Sequence, residues 1–392
     1  MTPGHPTGPL DGVRVIDLTN VLAGPYCSYQ LVLLGAEVIK VEIPGQGDLS
    51  RRLGADERLN RALLGASFLA QNAGKKSVEL DLKSAEGREQ LARLIEEADV
   101  LLENFRPGVL ARLGFAWERM QELNDQLIYC AISGFGEDGP MAERPAYDQI
   151  IQGLSGMMSV TGTDETGPLR AGFPVCDTLG GLAAALSISA ALAGRQTTGR
   201  GCRIDVSLLE VAVSAMGWVV SNFLATGSEP QPMANENFTA APSGTFAAAD
   251  APLNIAANQQ SQFEILCDVL GRPELLGDQR FATAEARKAH RVELRQALEE
   301  ALAGETAEVW EERLCAAGVP AGRVLRIREV LGLEQLRQRG FLQQLPSPHR
   351  PDETVAVVGS GVHFNGVPLT PSAPPPLLGE HNTELLGESA FA

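Results

Sequence analysis

Histidine is scarce in this chain: there are five in 392 residues, and between His5 and His290 there is none. No HExxH pair and no clustered His/Cys/acid set can be assembled from that distribution, so a metal centre is not expected. The same gap leaves Ser207 and the other serines without a histidine partner, and none sits in a G-x-S-x-G elbow, which disfavours hydrolase chemistry. Cysteine is sparse and scattered. Cys27, Cys130, Cys176, Cys202, Cys267 and Cys315 form no CxxC pair and read as reduced core residues of a cytoplasmic protein. A basic stripe is also missing. With 32 Lys and Arg against 49 Asp and Glu, the net charge is −17, and nucleic acid is excluded as a partner by repulsion. A small anionic ligand stays compatible if a few cations converge locally. The longest apolar run, 179–193, is Ala-rich and interrupted by Ser187 and Ser189, short of the roughly 18 residues of a membrane span. The opening MTPGHPTGPL has neither the basic start nor the apolar core of a signal peptide. No membrane partner is expected.

What is present is an α/β pattern. A hydrophobic content of 44% supports a substantial core, and the length fits two domains. Residues 13–18 read as a buried strand, 23–34 as a helix ending at Gly35, and 37–42 (EVIKVE) as the next strand. That order opens a parallel α/β sheet. A helix over 62–71, a strand over 77–82, and a helix over 84–98 started by a Ser84 cap follow. Strands at 100–103 and 127–132 extend a doubly wound, Rossmann-like sheet, and residues 1–225 form the large domain. A Pro-rich linker spans 226–243. A smaller α+β domain, 244–330, starts with a hairpin turning at Asp250-Ala251-Pro252 and continues with helices over 282–302 and 306–317. The segment 331–392, with a strand at 355–358, returns to the large domain.

One stretch stands out chemically. In Phe173-Pro174-Val175-Cys176-Asp177-Thr178-Leu179-Gly180-Gly181, a carboxylate stands at the mouth of a long apolar helix. Asp177 can cap that helix, bind a cation or do chemistry; local sequence leaves all three open. The literal GxGxxG at 134–139 is followed by Pro140 and polar residues rather than a helix, so it reads as a loop and not a dinucleotide site. Lys75, Lys76 and Arg112 follow loops at the ends of predicted strands, where ligands sit in such sheets, although solvated surface charge is the better explanation of each one singly.

Several stretches together resemble the family III CoA-transferases, the group of formyl-CoA transferase and the carnitine and bile-acid CoA-transferases. They are PLDGVRVIDL at 9–18, LAGP at 22–25, LGAEVIKVE at 34–42, NAGKKS at 72–77, ENFRPG at 103–108, SGFG at 133–136 and AYD at 146–148. The segment around Asp177, TGRG at 198–201, AGVPAG at 317–322 and PLLGEH at 376–381 complete the set. Each is weak alone; their order and spacing over nearly the whole chain are specific. The resemblance implies that Asp177 is the catalytic aspartate, forming a mixed anhydride with the acyl group and then an aspartyl-CoA thioester. It implies contacts to CoA from Leu22, Ala23, Asn72, Lys75, the Asn104-Phe105-Arg106 turn and Arg112, with Tyr147 beside the thioester. It also implies no resident cofactor, CoA and acyl-CoA being substrates, a carboxylic acid acceptor, and an interlocked homodimer. The nucleophile needs no raised pKa, since a carboxylate of ordinary pKa near 4 is ionised at neutral pH. The glycines after it are expected to bring N–H groups to an oxyanion.

The chain departs from formyl-CoA transferase at Leu22, where a glutamine stands in that enzyme, and at Ile43, where a CoA-binding arginine stands. Both weaken formyl or oxalate as substrate. Asn258-Gln259-Gln260 occupies the place of a glycine-rich shielding loop. Overall similarity is nearest to dicarboxylate-using members such as the succinate and glutarate CoA-transferases. Two alternatives remain at this stage: an α-methylacyl-CoA racemase, whose histidine would fall at Tyr147, a poor base at neutral pH, and a non-catalytic acyl-CoA binder.

Overall fold

The computed structural model describes residues 8–350 and 352–387; His5 and the end of the 331–392 segment lie outside the described residues. The chain divides into two compact units. One comprises residues up to Met157, Arg170–Glu229 and the chain from Glu334; the other comprises Met158–Leu169 and Pro230–Leu333.

The larger unit is built on six strands: β1 (Arg14–Asp17), β2 (Glu37–Glu42), β3 (Lys76–Glu79), β4 (Val100–Glu103), β5 (Ile128–Ser133) and β6 (Arg203–Ser207). They pair in the order β3-β2-β1-β4-β5-β6, and every pairing is parallel. Runs such as Val100-Leu101-Leu102 are wholly buried because helices cover both faces. Val15, Val100, Leu102 and Cys130 pack on one face with Cys27, Leu31, Ala184 and Ile188 from the helices Ala23–Leu33 and Val175–Thr198. Ile16, Leu101 and Tyr129 point to the other face, against Leu91 and Ile95 of the helix Ala85–Glu96. Ser84 caps that helix, its hydroxyl accepting from the Gly87 amide at 2.9 Å. The strand order reverses between β1 and β4, which is where a crevice opens at the carboxyl ends of a doubly wound sheet.

The C-terminal segment closes the β3 edge. The Gly379 amide donates to the Ser77 hydroxyl (3.0 Å), the His381 amide to the Ser77 carbonyl (3.0 Å), and the Glu79 amide to the Asn382 side chain (2.8 Å). An edge strand thereby loses its exposed hydrogen-bonding row.

The smaller unit holds a three-stranded antiparallel sheet, Ser243–Ala247, Pro252–Ala256 and Ala321–Arg323. Its core comprises Phe246, Leu253, Phe263, Leu294, Leu298, Trp310 and Leu314.

Three elements differ from the sequence reading. The 282–302 helix is two helices, Ala284–Ala289 and Arg291–Leu302, because His290 leaves helical geometry at φ −114° and ψ 40°. The 62–71 helix starts later, at Ala66, after Leu63 takes φ +58°. The apolar helix around 179–193 is also longer than its apolar run. It spans Val175–Thr198 and is long and apolar enough to cross a membrane by length and composition alone. Here Cys176, Gly180, Gly181, Ala184, Ala185, Ile188 and Leu192 are buried within the unit.

Candidate active site

The crevice at the β1/β4 switch point has a volume of about 390 Å3 and is walled by the 20–23 loop after β1, the 104–107 loop after β4, Ser133-Gly134 at the end of β5, segment 142–147 and Asp177. Of the residues singled out in the sequence, it gathers Leu22, Ala23, Asn104, Phe105, Arg106, Tyr147 and Asp177.

Asp177 lies in the first turn of the 175–198 helix, but it does not cap it. The N-cap position is Pro174, with no side-chain cap of its own. The cap comes from a distance in sequence: Asp148 Oδ1 accepts from the Cys176 amide at 2.8 Å and from the Asp177 amide at 3.3 Å. Gln152 Nε2 holds the other Asp148 oxygen at 2.6 Å, and Gln152 Oε1 takes the Ala171 amide at 2.8 Å. The Asp177 carboxylate is left with no hydrogen bond or ion pair among the described residues. Burial, and then the nearby Asp148 charge, pushes its pKa up to about 7. The helix mouth favours an anion by only about 0.3–1 kcal/mol, and here burial prevails. The expectation of an ordinary carboxylate pKa is therefore corrected: this group is poised to gain and lose a proton near neutrality, where a basic carboxylate is also a better nucleophile.

The two glycines after Asp177 serve packing. A Cβ on Gly181 would stand 2.6 Å from the Ala23 carbonyl oxygen, and one on Gly180 would stand 2.1 Å from Leu208 Cδ2. Glycine thus lets the 175–198 helix approach the 23–33 helix closely. As interior helical residues they do not present a flexible oxyanion loop.

The 19–22 turn carries Leu22 and Ala23 into the crevice. Val21 sits at φ +68°, a left-handed conformation that costs a β-branched residue roughly 1–2 kcal/mol. Its amide donates to Asp48 Oδ1 at 3.0 Å. Asn104 clamps Asn20 reciprocally: its Oδ1 accepts from the Asn20 amide and its Nδ2 donates to the Asn20 carbonyl, both at 2.9 Å. The Asn104 side chain is therefore engaged within the protein. Phe105 is fixed through its amide, which donates to Glu103 Oε2 at 2.6 Å. Glu103 also accepts from the Tyr129 hydroxyl at 2.7 Å, and burial raises its pKa to about 7.

Asn72 and Lys75 are placed elsewhere. Both are buried, and the Lys75 ammonium donates to Asn72 Oδ1 (2.8 Å), Pro25 O (3.1 Å) and Asp17 Oδ2 (3.2 Å). Three oxygens satisfy its three donors, which turns it into the core rather than onto the crevice wall. Burial pulls its pKa down to about 8, against the opposing pull of Asp17. Arg112, itself exposed, ends the short helix Val109–Arg112 and is not a wall residue. Ile43 is 55% exposed. Asn258, Gln259 and Gln260 are exposed residues of the smaller unit at the start of the helix Gln260–Val269, where the Gln259 amide donates to Gln262 Oε1 at 3.0 Å.

Two residues escaped the sequence reading. Arg144, inside the polar MAERP run, is exposed on the crevice wall, as is Arg106. Neither guanidinium has an ion pair or hydrogen bond among the described residues. Asp148 was visible only as the last residue of the AYD motif. No group of three or more His, Cys, Asp or Glu that could hold a metal ion occurs among the described residues.

The family model for CoA-transferase family III matches residues 10–382. An acetyl-CoA:oxalate CoA-transferase from Acetobacter aceti is 40% identical, covering 91% of this chain and 91% of the relative. A succinate–glutarate CoA-transferase from Agrobacterium fabrum is 38% identical over 97% and 95%. A succinyl-CoA:mesaconate CoA-transferase from Haloarcula hispanica is 35% identical over 97% and 96%. Among solved structures, a CAIB/BAIF family protein from Brucella suis superposes with a TM-score of 0.85 at 36% identity, covering 98% of this chain and all of that one. Rv3272 from Mycobacterium tuberculosis, in an aspartate-to-alanine mutant, gives 0.84 at 33% identity over 98% of this chain and all of its own.

Proposed function

The chain belongs to CoA-transferase family III and is a CoA-transferase, and on that basis we propose that it moves CoA between dicarboxylic acids with Asp177 as the covalent nucleophile. The observation that carries this reading is the Asp177 carboxylate, unpaired and half-buried at the switch-point crevice.

The Asp177 carboxylate attacks the acyl-CoA carbonyl, forming a mixed anhydride and releasing CoA thiolate. The thiolate attacks the aspartyl carbonyl of the anhydride, which frees the donor acid as a carboxylate and leaves an aspartyl-CoA thioester. The acceptor carboxylate attacks that thioester, giving a second anhydride and the thiolate again. Attack of the thiolate on the acceptor's acyl carbon yields the new acyl-CoA and restores Asp177. Each step exchanges one acyl bond for another, so neither proton nor electron is left over, and covalent capture splits a hard exchange into easier ones.

Arg106 and Arg144 are the cations available for an anionic substrate in this acidic protein, because a planar guanidinium suits a carboxylate. We assign them to the distal carboxylate of the dicarboxylate. Arg112, outside the crevice wall, is assigned to the phosphates of CoA. Relatives named for oxalate, succinate, glutarate and mesaconate support including short and medium dicarboxylates among the candidate acids, oxalate with them despite Leu22.

A dimer is part of the proposal. The helix Trp218–Thr226 has no buried residue, and Phe223 and Leu224 stand exposed on it; Leu182 and Leu186 do the same on the 175–198 helix. Apolar surface of that kind marks a protein interface, here between two copies that interlock as the resemblance implies. Acetyl-CoA and succinyl-CoA donors, each assayed against oxalate, succinate, glutarate, mesaconate and monocarboxylic acids, test the substrate class. Transfer to dicarboxylates supports it. Transfer confined to monocarboxylates, or solvent exchange of the α-proton without transfer, contradicts it.

A further inference from the structure

The 19–21 turn is held at Thr19 by the local Asp17 carboxylate, which accepts from the Thr19 amide at 2.9 Å, and otherwise by side chains from other segments. Lys40 of β2 donates to the Thr19 carbonyl at 2.7 Å. Asn104, after β4, takes both the amide and the carbonyl of Asn20 at 2.9 Å. Asp48, after β2, accepts from the Val21 amide at 3.0 Å and is itself ion-paired to Lys40 at 2.9 Å. Asp48 is not free to swing, because the Ser50 amide and hydroxyl also donate to its Oδ1, each at 2.8 Å.

Among the described non-glycine residues with positive φ, namely Val21, Leu63, Ala234 and Asn365, Val21 is the β-branched one, and it lines the crevice that contains Asp177. A strained conformation survives only where its surroundings over-determine it, and such positions cluster at functional sites. The strain has a definite location. Directly after Val21 the chain enters the 23–33 helix, whose N-cap Leu22 supplies no side-chain cap. The start of that helix abuts the Asp177 helix, within 2.6 Å of where a Cβ on Gly181 would be.

We propose that Val21, held by Asp48 and Asn104, is a pre-strained turn that sets the start of the 23–33 helix against the Asp177 carboxylate, and that Asp48 and Asn104 are positioning residues for CoA transfer. The proposal rests on Asp177 being the nucleophile. A purely structural role for the clamp predicts that loss of activity follows loss of folded protein. A positioning role predicts that the two separate, because reaction rate depends on sub-ångström placement of reacting groups and stability does not.

Val21→Gly separates them, since glycine carries no steric penalty at φ +68° but also samples other conformations freely, so the turn loses its strain and its fixed geometry together. Asn104→Ala removes both bonds to Asn20. The experiment measures kcat and the KM for acyl-CoA in steady state, the melting temperature, and the rate at which CoA becomes bound to the protein in a single turnover, read by intact-protein mass spectrometry. The expected result is a melting temperature in Val21→Gly equal to or above wild type, with kcat and adduct formation reduced at least tenfold in both variants and KM within about twofold. Wild-type kcat in Val21→Gly, whatever Asn104→Ala does, overturns the proposal. Absence of any adduct in the wild-type protein overturns the Asp177 mechanism instead, while the variant-to-wild-type kcat ratio still judges the turn.

Discussion

Two neighbouring regions of the large unit treat charge in opposite ways. Beneath the crevice, Asp17, Lys40, Glu42, Asp48, Arg51 and Lys75 are all buried, and every one is partnered. Arg51 forms a double hydrogen bond to Glu42, at 2.6 Å from both Nε and Nη2, and lies 3.7 Å over the Phe68 ring. Burial alone would raise the Asp17 carboxyl, yet the Lys40 and Lys75 ammoniums with the Ser28 and Thr19 hydroxyls hold it well below the usual carboxylate range. At the crevice, Asp177, Arg106 and Arg144 have no protein partner among the described residues. A charge that the fold has already satisfied has little left for a ligand, whereas a charge left unsatisfied in a recess is available for one. The first set supports the turn and strands; the second lines the crevice and, on the function proposed above, faces the substrate.

This contrast can be broken by substitution on either side. The largest effect belongs to Asp177→Ala, which should lower kcat about 10⁴-fold or more by removing the nucleophile, with circular dichroism unchanged. In the paired set, Arg51→Met should instead cost about 3–5 kcal/mol of stability, because Glu42 is left buried without its partner. Denaturant unfolding measures the loss, and turnover per folded molecule should stay near wild type. Loss of turnover without loss of stability in Arg51→Met, which does not touch the 19–21 turn directly, would erase the distinction between the regions.

How much of this was legible beforehand depends on the kind of feature. The β4 and β5 strands could be placed because continuous apolar runs of that length have few other uses, and the Ser84 cap because its partner lies three residues away. The break at His290 left no mark: AEARKAHRVEL carries helical spacing straight through it, and no proline or glycine interrupts it. Lysines are almost always exposed, so the inward turn of Lys75 depends on Asp17, Pro25 and Asn72 meeting in space, which local sequence does not encode. The same holds for the crevice. Asp177 was conspicuous at a helix mouth, but its cap, Asp148, lies 29 residues earlier, and Arg144 looks like any polar loop residue until the fold brings it to the crevice that Asp177 lines.

Smaller effects sharpen the comparison. Arg144→Ala should raise the KM for a dicarboxylate acceptor about tenfold, the value of one charge-assisted hydrogen bond, and leave a monocarboxylate of similar length within twofold; Arg106→Ala should act in the same direction. The Asp177 pKa near 7 has two consequences with definite signs. The reactive form is the anion, so kcat/KM should fall as pH drops through about 7. Asp148→Asn, which keeps an oxygen for the Cys176 amide but removes the charge, should move that limb to lower pH. In the unfolded chain the carboxyl loses its proton near its ordinary value of 3.8, so the folded state binds more protons between about 4 and 7, and stability declines across that window. Asp177→Asn should therefore raise the melting temperature by a few degrees at pH 8 and leave it unchanged at pH 4. Arg112→Ala should have the least effect, a two- to fivefold rise in the KM for acyl-CoA with kcat unchanged.

The central claim is that the one carboxylate in the crevice without a protein partner is the group that becomes acylated. Its most direct test is peptide mass spectrometry of protein quenched after mixing with acyl-CoA in the absence of acceptor. The expected result is CoA joined, with loss of water, to the peptide containing Asp177, and unmodified peptide in Asp177→Ala. Efficient CoA transfer with no adduct at any time point, or an adduct on another residue, would contradict it.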